Sequence, residues 1–212
     1  MRIFGIDPGT ATTGYGVIEA SGLLTEKPFV LIEYGCIVTP KEMDMPLRLL
    51  SIQNDLHTLL ELHKPDYVSI EQLFFGVNSR TAMTVGQARG VVLAAVAHYG
   101  IPIFEYQGLH VKHTLTGSGK ADKKDVQKAV MKFLGKRKLA KPKSGFIDDA
   151  ADALGVAICH YIKVSNGSGV SKVENVSTSR NTKVSKKKRV VAKQVKNKNG
   201  KKPIKGNAKR GR

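Results

Sequence analysis

Arg2-Ile3-Phe4-Gly5-Ile6-Asp7-Pro8-Gly9 decides how the rest of the chain is read. Ile3, Phe4 and Ile6 make a short apolar run of strand-forming residues. Pro8-Gly9 ends it, because proline has no N–H for a ladder and glycine permits the turn. Asp7 therefore stands at the end of a buried strand. A carboxylate there costs free energy unless something cationic meets it. The remaining sequence has to supply that cation, or the company that attracts one.

Working outward, Thr12 to Glu19 predicts a second strand paired with the first as a hairpin. Its Gly14 and Gly16 mark the close approach of another backbone or a ligand. Phe29 to Val38 predicts a third strand. Pro46 opens a helix in which Leu49, Ile52, Leu56, Leu59, Leu60 and His63 keep helical spacing until Pro65. Tyr67 to Glu71 is a fourth strand, again ending on a carboxylate. A long helix follows from about Ser79 to Tyr99. Its second half, Gly90 to Ala97, is apolar almost all round, so it is buried in the core or against a second subunit. Ile101 to Tyr106 predicts a fifth strand, parallel to the fourth. Short helices over 108–117 and Lys120 to Leu134 precede a last helix from Ile147 to about Val164. The fold class is α/β, a mixed five-stranded sheet with helices on both faces. Residues 1–164 form this domain.

Charge separates that domain from the remainder. Residues 163–212 hold 17 of the 35 Lys and Arg against one acid, Glu174, so +16 of the net +18 lies there. Ser, Asn, Gly and Lys dominate without periodicity, and residues 165–212 read as a disordered lysine-rich tail, an arm for a phosphate backbone or an acidic surface. Cys36 and Cys159 have no CxxC spacing and sit in apolar runs, which fits buried, reduced thiols. Asp7 interrupts the first apolar run, so no signal peptide is expected. The longest apolar stretch, Val91 to Phe104, is broken by His98, Gly100 and Pro102 and falls short of about 20 residues. A cytoplasmic protein with no membrane span is expected.

Asp7 and Glu71 each end an apolar strand and emerge at one sheet edge if those strands are neighbours. Asp148, Asp149 and Asp152 crowd the start of the last helix. Asp149 and Asp152 share a face at i, i+3, and Asp148 and Asp152 share one at i, i+4, so spacing leaves the choice between Asp148 and Asp149 open. Acids in a first turn also complement the helix dipole. Four clustered carboxylates repel one another unless cations lie between them, and oxygen-rich sites suit Mg²⁺ or Mn²⁺. Two such ions form the clamp used by many nucleases.

Gly5-Ile-Asp7-Pro-Gly9, Thr13-Gly14-Tyr15-Gly16, Ile70-Glu71-Gln72, Gly86-Gln87-Ala88-Arg89-Gly90 and Asp149-Ala-Ala-Asp152-Ala-Leu, in this order, closely resemble the RuvC family of bacterial Holliday junction resolvases. The resemblance spans residues 1 to about 162 and leaves the tail unexplained. It implies a ribonuclease H-like fold, a homodimer, and Mg²⁺-dependent cutting of two opposed strands of a four-way DNA junction in recombination and repair. Carried over by position, it implies Asp7, Glu71, Asp149 and Asp152 as a catalytic quartet holding two Mg²⁺ per subunit, or Mn²⁺, and so favours Asp149 over Asp148. It implies base contact by Phe74 (or Phe75), phosphate contacts by Lys112 and Lys123, and further ones by Arg80 and Arg89. The Ser79–Tyr99 helix matches the dimer-forming helix. Expected partners are a junction-binding protein and a branch-migration motor of the RuvA and RuvB type.

Two other readings compete. Gly-x-Asp-x-Gly between strands also opens the actin and sugar-kinase ATPases, but 162 residues leave no room for their second domain. A non-catalytic nucleic-acid-binding module suits the tail, yet has no use for four carboxylates.

Overall fold

The computed structural model describes residues 1–20, 29–72, 79–142 and 145–167, the third stretch with side chains from residue 82 onward. The elements run β1 (Arg2–Asp7), β2 (Thr12–Ala20), β3 (Phe29–Val38), α1 (Met45–His63), β4 (Tyr67–Gln72), α2 (Ser79–His98), β5 (Ile103–Gln107), α3 (Gly108–Thr116), α4 (Lys123–Phe133) and α5 (Ile147–Ser165). The strands form one sheet in the order β3-β2-β1-β4-β5. β1, β2 and β3 pair antiparallel, while β1 with β4 and β4 with β5 pair parallel.

Strand alternation assigns the layers. Phe4, Ile6, Val68 and Ile70 face one way and are buried with Ile52, Leu56 and Leu60 of α1 and Ala88, Val92 and Val96 of α2. Ile3 and Ile18 face the other way, against Leu154 and Ile158 of α5, with α3 and α4 on that side. The sheet is thus buried on both faces. In the same alternation Asp7 and Glu71 turn towards α5, because Ile6 and Ile70, their neighbours in register, turn away.

α5 lies closer to the sheet than ordinary side chains allow. A Cβ on Gly5 would overlap the carbonyl oxygen of Ala153, and one on Gly14 would overlap that of Asp149. The two strands drop their side chains where the helix crosses. Ala150, Ala151 and Ala153 do the same from the helix side, all fully buried. This contact brings Asp149 and Asp152 down to the level of Asp7. The turn after Asp7 is closed by Thr13, whose hydroxyl donates to the Gly9 carbonyl at 2.6 Å.

Several boundaries differ from expectation by a residue or more, and two of the shifts have a plain cause. α4 starts at Lys123 rather than Lys120, because the Asp122 carboxylate accepts the Asp125 N–H at 2.8 Å and caps the helix. β5 starts at Ile103 because Pro102 has no N–H to give; its carbonyl accepts the Val68 N–H at 3.0 Å instead.

His160 of α5 is fully buried among Tyr67, Phe104 and Tyr106, and its Nδ1 shares a hydrogen bond of 2.7 Å with the Tyr106 hydroxyl. Burial pushes its pKa down to about 4. In the unfolded chain a histidine takes a proton near pH 6.5. Between pH 6.5 and 4 the unfolded state therefore binds a proton that the native state refuses. Stability is full above that window and falls within it as pH drops, by on the order of 3 kcal/mol. Asp7, with its raised pKa, acts with the opposite sign, so the comparison is made by variant. Denaturant midpoints at pH 7.5 and 4.5 are expected to differ less in His160→Phe than in the wild type; an equal pH dependence would contradict this.

Candidate active site

Asp7 ends β1 and Glu71 lies one residue before the end of β4, just beyond the parallel pair Ile6 and Ile70 and on the face covered by α5. Asp149 and Asp152 come from the first turns of α5. The four expected carboxylates thus gather from two strand ends and one helix. Their mutual influence is visible in their acidities. Burial, then the charges of Glu71, Asp152 and Asp149, push Asp7 up to about 7, with Lys123 opposing. Glu71, Asp149 and Asp152 are raised too, each mainly by burial, and Lys123 pulls each of them back. Lys112 acts the same way on Glu71 and Asp152. Both lysines named in the sequence therefore sit within electrostatic reach of the cluster, Lys112 from α3 and Lys123 from the first residue of α4.

Two adjoining hollows open onto these groups. The larger, about 670 Å³, is lined by Asp7, Glu71 and Asp152 together with Gln72, Gln107, Leu109 and Lys112. The smaller, about 220 Å³, runs between Glu71 and Asp152 towards Lys112 and Lys123. Carboxylates and lysine ammonium groups line the same space. An anion such as a phosphodiester would meet the cations there, while the carboxylates offer oxygen ligands for a metal ion.

The donor set fits magnesium or manganese. Every ligand in the quartet is a carboxylate oxygen, which suits hard divalent ions over thiolate-seeking ones. Among the described residues no three His, Cys, Asp or Glu side chains converge as a ready-made cage. Mg²⁺ does not need one, since it binds through one or two carboxylates, retained water and substrate phosphate. Burial and mutual repulsion raise the pKa values of these carboxylates, and a bound divalent cation would relieve both.

Asp148 and Asp149 differ in their surroundings. The Asp148 carboxylate accepts a hydrogen bond from Gln127 Nε2 of α4 at 2.6 Å. Asp148 ties α5 to the helix that carries Lys123, while Asp149 is left to act on Asp7. The Arg89 guanidinium is ion-paired with Glu105 of β5, which joins α2 to the sheet and uses part of its donor set. Phe74, Phe75 and the side chain of Arg80 lie outside the described residues. Gln107, Leu109 and Gln127 were not singled out from sequence. Gln107 was within reach: β5 parallel to β4 brings its last residue to the same edge as Gln72. The Gln127 contact joins residues far apart in the chain and leaves no local pattern.

The family described as crossover junction endodeoxyribonuclease RuvC matches residues 3–160. A protein of that name from Syntrophomonas wolfei is 50% identical over 160 residues, 76% of this chain and 88% of the relative. The solved structure of Thermus thermophilus RuvC superimposes with a TM-score of 0.72 at 29% identity, covering 82% of this chain and all of that one. The same Thermus protein in complex with Holliday junction substrate gives the same score and identity, over 82% and 99%. The mixed sheet with helices on both faces is thus the ribonuclease H-like architecture of these resolvases.

Proposed function

The chain belongs to the RuvC family of crossover junction endodeoxyribonucleases, hydrolases of DNA phosphodiester bonds, and we propose that it resolves Holliday junctions by paired nicks in two opposed strands. The observation that carries this is the quartet itself: Asp7, desolvated and surrounded by three further carboxylates, beside a cleft walled by Lys112 and Lys123.

In this reading Asp7, Glu71, Asp149 and Asp152 hold two divalent ions, Mg²⁺ or Mn²⁺. When bound, such ions supply an activated water and charge stabilisation for in-line displacement at phosphorus. The chain's own residues do the rest. Lys112 and Lys123 grip the phosphodiester and orient it over the carboxylates, while Asp148 and Gln127 fix α4 against α5 so that Lys123 stays in place. Phe74 contacts bases near the crossing point, and Arg80 adds a phosphate contact.

A four-way junction has near two-fold symmetry, and a C₂ dimer presents two identical sites to it. The outer side of α2 supports such a dimer. Gly90, Ala94 and Ala97 are exposed, Met83 is 71% exposed, and open space surrounds Gly86 and Gly90. Small residues let a second helix approach closely. The buried side of the same helix, Val92, Ala95 and Val96, serves the core. Partners of the RuvA and RuvB type deliver and move the junction. Among the described residues no helix is long and apolar enough to cross a membrane, in keeping with action in the cytoplasm. The basic residues of 165–212, all outside the described residues, hold DNA by its backbone.

Chelation tests the metal requirement. With EDTA in excess, cutting of a synthetic junction is expected to stop, and to return on adding surplus Mg²⁺ or Mn²⁺. Cutting that persists without divalent ions would contradict the role given to the carboxylates.

A further inference from the structure

We propose that the 670 Å³ hollow beside the carboxylates is a nucleoside pocket in which Gln72, Gln107 and Leu109 read the base next to the phosphate being cut. The inference rests on the nuclease reading and adds a specificity site to it. The hollow is larger than a phosphate and two ions require, and falls in the range of cavities that bury an organic ligand. Its lining is not all ionic. Gln72 and Gln107 end neighbouring parallel strands and stand opposite one another in register. Both line the hollow, and among the described residues neither side-chain amide makes a hydrogen bond.

Leu109, one residue into α3 and 61% exposed, lies against Gly119, where a Cβ would come within 3.0 Å of its Cγ. Leu109 and Gly119 line the hollow together, so the leucine contributes apolar surface to it. An apolar surface flanked by two carboxamides suits a nucleobase: the leucine covers a face, and the amides offer a donor and an acceptor to an edge. Glutamine pairs with base edges in this bidentate way. A base stacked in a duplex cannot enter such a pocket. Where strands part at a junction, unstacking costs less.

The test uses synthetic junctions that differ only in the base at each nucleotide flanking the cut, with single-turnover rates measured for the full chain in Mg²⁺. The wild type is expected to cut the favoured base at one flanking position at least tenfold faster than the least favoured. Gln72→Ala, Gln107→Ala and Leu109→Ala should each bring that ratio below about threefold, chiefly by slowing the favoured junction. Gln107→Met, which keeps the length and removes the amide, should act like Gln107→Ala. A base preference that survives all these substitutions overturns the proposal while leaving the nuclease reading intact. An equal slowing of every junction also overturns it, since it would mean that these residues hold the backbone. A wild type that cuts no junction overturns both readings together.

Discussion

Asp7→Asn is expected to cut a four-way junction at least a thousandfold more slowly than the wild type and to bind it as tightly. The substitution keeps size and shape, so the β1 end and the turn held by Thr13 are unaffected. What it removes is the charge at the centre of the cluster. A thousandfold is about 4 kcal/mol of barrier, within reach of a lost metal ligand in a two-ion site. A second consequence has a definite sign. The native pKa of Asp7 is raised to about 7 from 3.8, so its ionised form opposes folding once the pH exceeds the unfolded value. In EDTA at pH 8, Asp7→Asn should therefore melt at a higher temperature than the wild type. Residual cutting at a tenth of the wild-type rate, or a lower melting temperature, would remove Asp7 from the centre of the site.

Deleting residues 165–212 is expected to weaken junction binding about a hundredfold at ~0.1 M salt and to flatten its salt dependence. The deletion removes 16 of the 35 Lys and Arg. Binding through phosphates releases counterions, and log K falls with log salt by about 0.9 for each phosphate neutralised. If a third of these cations engage DNA, the slope shrinks by about 4 to 5. Cutting at saturating protein should change less than twofold, because the quartet lies on β1, β4 and α5. Titrations at several salt concentrations check this, and an unchanged slope would mean that the tail serves something other than DNA.

Much of this site was legible before the fold was seen, for a physical reason. A strand interior is written in apolar residues, so a carboxylate that closes one, like Asp7 or Glu71, stands out against its own neighbours. Glycines in β2 pointed to a close approach, and Gly14 indeed meets the backbone of α5 at Asp149. Asp148 and Asp149 were harder, because both lie in the first turn of α5 and helical spacing serves either. What separates them is Gln127, 21 residues away, which takes Asp148. Arg89 illustrates the same limit. The resemblance implied a phosphate contact for it, and no local pattern announced its ion pair with Glu105 on another element. The apolar half of α2 was ambiguous between core and interface, and serves the core on one side while leaving small residues open on the other.

The measurement that bears most directly on the account is cleavage of an immobile four-way junction by the wild type in Mg²⁺, each strand end-labelled in turn. Nicks are expected in two opposed strands only, at symmetric positions across the crossing point, giving two nicked duplexes. Nicks in all four strands, cuts without symmetry, or equal cutting of linear duplex would contradict it.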